Sequence, residues 1–87
     1  MKNKVTEAQV GKIIHYYNKI GVAIVDVSAP LKVGDTIKIS GHDKEFTQTV
    51  NSIQIEHQQI QSAKKGDQIG LKVDQPVKEK DLVYRVK

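Results

Sequence analysis

No cysteine and no tryptophan occur among the 87 residues, proline appears twice, and a single guanidinium, Arg85, stands among fourteen basic residues. Without cysteine there is neither a disulfide nor a thiolate nucleophile, so a reducing, cytoplasmic setting is expected. Aromatics are scarce as well: Tyr16, Tyr17, Phe46 and Tyr84 are the whole set. Tight nucleic-acid readers rely on Arg forks and on aromatic platforms, and both are sparse here. The longest apolar run, GVAIV at 21 to 25, falls far short of the ~20 residues that span a bilayer as a helix. No apolar stretch follows Lys2 and Lys4, so a soluble, unprocessed chain without a membrane partner is expected. The phosphate-loop pattern GxxxxGK[ST] is missing, which excludes a nucleotide-binding site of that type.

What is present is mostly β-pattern. Apolar residues alternate with polar ones or form short β-branched blocks, as in IIHYY, GVAIVDV, DTIKIS, SIQIE, QIGLKV and DLVYRV. Helical i, i+3, i+4 spacing is not sustained anywhere, 56 to 66 being the one ambiguous stretch. These blocks predict an all-β domain of six or seven strands. At this length there is room for one core, burying roughly 60–65% of the surface of the unfolded chain. In GVAIVDV both alternating faces are apolar, which predicts a central strand covered twice. Tyr16 and Tyr17 are adjacent, so one ring points inward and the other outward. Asn51 and Ser52 interrupt the alternation and suggest a bulge.

One phrase recurs three times: LKVGDTI at 31 to 37, AKKGDQI at 63 to 69 and VKEKDLV at 77 to 83. The steps between copies, 32 and then 14 residues, are unequal, which excludes a solenoid period. Each copy offers an apolar anchor (Leu31, Ala63, Val77), a polar apex and a strand opening on Ile37, Ile69 or Val83. Gly34 and Gly66 suit the positive φ of a tight turn, and Asp35 and Asp67 can accept bonds from the turn's amides. The phrase reads as turn chemistry. In the third copy Lys80 stands where the glycine would be, so that turn is either strained or of another type.

These motifs in this order also carry a resemblance. Gly11-Lys12, LKVGDTIKISG, TVNSIQIEH, AKKGDQIGLKV and VKEKDLVYRV together resemble the second domain of translational GTPases such as elongation factor Tu and initiation factor two. The pattern is similar, too, to the C-terminal barrel of the collagenase-like peptidase family and to stand-alone elongation-factor-like proteins. The resemblance runs from Val10 to Val86 and implies a small closed barrel over 10–87, preceded by an N-terminal arm at 1–9. It implies a non-catalytic binding module with RNA, such as tRNA or the ribosome, as the leading partner, and docking on a larger protein such as a collagenase-like peptidase relative as the alternative. Segments GHDKEF at 41 to 46 and DQPVKEK at 74 to 80 resemble acceptor-end contact regions.

Catalytic and metal chemistry have little to stand on. His15, His42 and His57 lack metal-ligand spacing, and the serines lie in no nucleophile motif. No enzyme activity, cofactor or metal is expected. The net charge is +4, and the best basic clusters are Lys64 with Lys65 and Lys78 with Lys80. Lys44 and His42 would join one of them if the loops gather at one end. Such a patch would suit weak phosphate contact without sequence readout.

Overall fold

The structure, a computed structural model, describes residues 7–41 and 44–86. Among these, every regular element is a strand. They are β1 (Glu7–Tyr17), β2 (Val22–Val27), β3 (Leu31–Lys32), β4 (Thr36–Ser40), β5 (Glu45–Thr49), β6 (Ile53–Ile55), β7 (Gln58–Ile60), β8 (Ser62–Ala63), β9 (Gln68–Lys72) and β10 (Leu82–Val86). Eight of them form one antiparallel sheet in the order β5-β4-β10-β1-β2-β9-β6-β7, and β3 pairs separately with β8. The all-β expectation holds. Strand β1 starts at Glu7, which pairs with Val86, so residues 7–9 of the expected arm lie in the sheet; the rest of that arm lies outside the described residues.

The closed barrel of six or seven strands is not what the backbone pairing shows. The sheet ends at β5 and at β7, which do not pair with each other. At the β5 edge, a side chain meets the neighbouring backbone instead of a ladder: Gln48 Nε2 donates to the Lys72 carbonyl and Gln48 Oε1 accepts from the Asp74 amide, both at 2.8 Å. At the β7 edge, the chain passes to Gln61, whose carbonyl accepts from the Val33 amide at 2.9 Å. The sheet curls around a single core that draws on Ile13, Val25, Ile37, Ile53, Ile69, Leu71 and Val83, all fully buried.

The recurring phrase does what its chemistry suggested. The anchors Leu31, Ala63 and Val77 and the strand openers Ile37, Ile69 and Val83 are all buried. In each turn the lysine amide donates to the carboxylate three residues on: Lys32 to Asp35 Oδ2 at 3.0 Å, Lys64 to Asp67 Oδ2 at 3.0 Å and Lys78 to Asp81 Oδ2 at 2.9 Å. The aspartate amide closes the turn on the lysine carbonyl, at 3.1, 3.0 and 3.2 Å. The third position has φ of +99° at Gly34, +96° at Gly66 and +79° at Lys80, the sign a type II turn requires there. The third copy is therefore the same turn, with a side chain where glycine belongs.

Other expectations are adjusted. Strand β2 is central, between β1 and β9. Only its inner face is closed, however: Ala23, Val25 and Val27 are buried while Val22 and Ile24 are half-buried. Residues 51 and 52 form a connection between β5 and β6, and the register shifts lie in β1, between Gln9 and Gly11 and between Ile13 and His15. The stretch from 56 contains a hairpin, β6 to β7, turning on Glu56 and His57. On β10 the inward residue is Val83, and Tyr84 lies on the outer side with Lys38 Nζ 5.6 Å from its ring centre. Tyr16 packs against the core and Tyr17 is exposed, as adjacent strand residues must be.

Candidate functional site

Two surface regions stand out, one apolar and one basic. The apolar one is an open groove on the outer face of β2, β9 and β6. It is walled by Tyr17 and Ile20 from the β1–β2 hairpin, by Val22 and Ile24 from β2, and by the Glu56–His57 turn. Its floor exists because position 70 has no side chain: a Cβ on Gly70 would sit 3.4 Å from Val22 Cγ1. Tyr17 and Ile20 are the exposed large apolar residues of the described surface, at 48% and 59%. The hairpin that presents them is pinned, because the Gly21 amide donates to the Tyr17 carbonyl at 2.9 Å and Lys72 Nζ donates to the Ile20 carbonyl at 3.2 Å. The Tyr17 ring also stands edge-on to His15, with centroids 4.4 Å apart. An apolar patch held rigidly in this way loses little conformational entropy on being covered.

The lysines picked from the sequence fall into two groups. Lys64 lines a cleft with Lys32 and Arg85, between the first two turns and the end of β10. Lys65 is exposed in the turn beside it. Lys78 and Lys80 belong to a separate turn that docks on β1, where the Lys80 amide donates to the Ile13 carbonyl at 2.7 Å. Between them Glu79 approaches His15, Oε2 to Nδ1 at 3.6 Å. Lys44 joins the segment before this turn, with Nζ donating to the Pro76 carbonyl at 3.2 Å. His42 lies outside the described residues. Sequence reasoning missed Lys32 and Arg85 as neighbours of Lys64, since strand pairing far along the chain is what brings them together.

Among the described residues no group of three or more His, Asp or Glu side chains could hold a metal ion. No described helix is long and apolar enough to cross a membrane. Fold and surfaces thus define a small all-β domain whose accessible features are an apolar groove and a basic cleft.

No family profile matches the chain. Over 98% of its length the chain is 36% identical to an uncharacterized protease of Methanocaldococcus jannaschii, of which it spans 21%. It is also 37% identical, over 87% of its length, to a collagenase of Porphyromonas gingivalis, of which it spans 22%. The chain is therefore homologous to a domain-sized piece of these two proteins and corresponds to about a fifth of each. Its fold is that of the C-terminal domain of a candidate U32 peptidase from Geobacillus thermoleovorans. The TM-score is 0.85 at 21% identity, covering 90% of this chain and 91% of that one. The collagenase-like side of the resemblance is supported, whereas the reading as an elongation-factor relative with an RNA partner draws no support from these proteins.

Proposed function

We propose that the chain is a non-catalytic accessory domain that docks on the larger part of a collagenase-type peptidase through the groove at Tyr17, Ile20, Val22 and Ile24. The supporting observation is the proportion of the match: nearly all of this chain aligns with about a fifth of each relative, so the same piece normally has a large polypeptide beside it. A rigid apolar groove with an open floor fits such a neighbour better than it fits water. The His57 and Glu56 side supplies a polar rim. RNA contact, the leading expectation from the sequence, is the competing reading, and salt separates the two. Binding through apolar contact changes little with ionic strength, whereas phosphate contact falls steeply.

The test is a titration of this chain against a collagenase-type protein from which the matching segment has been removed. Saturable binding is expected, varying by less than about threefold between 50 and 300 mM salt. Ile20→Asp should weaken it by about tenfold or more, by placing a charge in the buried patch. Circular dichroism checks that the variant is folded, as an exposed position predicts. Absence of binding, or equal binding by wild type and folded Ile20→Asp, overturns the proposal.

A further inference from the structure

The geometry points to a phosphate-binding site in the basic cleft formed by Lys32, Lys64 and Arg85, separate from the apolar groove. The cleft follows from the turn chemistry. Strands β3 and β8 pair Leu31 with Ala63 and Lys32 with Ser62. Since Leu31 and Ala63 are buried, the alternate positions point the other way, and Lys32, Ser62 and Lys64 are exposed. Lys64 stands diagonally across the ladder from Lys32, a relation that brings side chains within roughly 7–8 Å of each other. Both lysines line the one opening.

A third cation lines the same opening. Arg85, the only arginine of the chain, lines the same cleft and donates from Nη1 to the Pro30 carbonyl at 2.8 Å. That bond fixes the guanidinium in place, and it uses one of the five donors the group carries. Among the described residues the guanidinium makes no other bond or ion pair. Thr36 and Ser62 add hydroxyls to the lining, and the backbone at Gly34 is open, with nothing within 4 Å of where a Cβ would sit. The one carboxylate among the lining residues, Asp35, has Oδ2 engaged by the Lys32 amide. Two point charges and a held guanidinium around one opening suit a tetrahedral phosphoryl group; a planar carboxylate would be satisfied by the guanidinium fork alone. No aromatic side chain lines the cleft, so the base of a nucleotide would not be read.

Phosphate can arrive as a free phosphomonoester or as the backbone of a nucleic acid, and the experiment has an arm for each. Uridine monophosphate is titrated into the labelled protein while backbone amide resonances are followed. A fluorescent single-stranded uridine oligonucleotide is then titrated from 50 to 200 mM salt. The expected result is a shift of the amides of 32–36, 62–64 and 85 by one or both ligands. For the oligonucleotide, three cations imply a slope of log K on log salt near −2, or roughly a twentyfold loss over that range. Lys32→Glu with Lys64→Glu should weaken binding about tenfold or more, and Arg85→Lys, which keeps the charge and loses the fork, by less. Binding of the monophosphate alone identifies a small phosphorylated ligand; binding of the oligonucleotide alone identifies nucleic acid. The inference is overturned if neither ligand shifts these amides at 50 mM salt. It is likewise overturned if Lys78→Glu with Lys80→Glu weakens binding more than the Lys32 and Lys64 pair does, or if an acidic peptide binds as well as the phosphate ligands.

Discussion

Gln48 holds the backbone at Lys72 with its side-chain amide, donating to that carbonyl at 2.8 Å while its oxygen receives the Asp74 amide at 2.8 Å. Gln48 is the one buried polar side chain of the described core, 6% exposed. It stands on the side of β5 away from β4, where no backbone ladder forms, and it bonds one acceptor and one donor at the end of β9. Gln48→Ala should therefore cost about 2–4 kcal/mol, because two partly buried backbone groups lose their partner and a cavity opens. Urea denaturation measures this directly. A cost below about 0.5 kcal/mol would mean that water replaces the side chain freely and that the edge is open.

The three turns make a matched set of predictions. Gly34 and Gly66 have open space where a Cβ would go, so Gly→Ala at either position tests φ alone, without a clash. Each should cost about 1 kcal/mol. Lys80 holds a φ of +79° with a side chain attached, so Lys80→Gly should stabilise the domain by a few tenths to about 1 kcal/mol. Opposite signs at equivalent positions are the signature to look for in the denaturation midpoints. Destabilisation by Lys80→Gly would show that the lysine side chain contributes more than its backbone strain takes away.

Those turns were legible because their determinants lie within four residues: a lysine amide, a residue able to take positive φ, and an aspartate. Burial of Leu31, Ala63, Val77, Ile37, Ile69 and Val83 was equally legible, since each flanks such a turn. Closure was not. Gln48 sits in FTQTV, where alternation puts it on one face with Phe46 and Val50 but gives no sign that its side chain bonds a strand 24 residues away. The basic cleft was half legible: Lys64 was picked out, but its partners depend on β3 pairing with β8 and on Arg85 reaching Pro30, 55 residues apart. The outer face of β2 was read as covered because its residues are apolar. In the isolated domain that face lies partly open, and the apolar character is what makes it a docking candidate.

The wall of that groove carries a second turn with positive φ. Glu56 and His57 both have positive φ, +50° and +68°, in the two-residue connection between β6 and β7. Positive φ at both central positions is the type I′ pattern that Asn-Gly adopts most easily, and a glutamate there is strained. Replacing Glu56 with Asn and His57 with Gly should relieve this and stabilise the domain by about 1 kcal/mol. If the pair is kept for the groove's polar rim, the same variant should also weaken docking to the collagenase-type partner, because both residues line the groove. Stability is read from denaturant midpoints and docking from the titration described above. A variant that is more stable and docks less well would show a functional strain; one that is more stable and docks equally well would assign the groove's affinity to Tyr17, Ile20, Val22 and Ile24 alone.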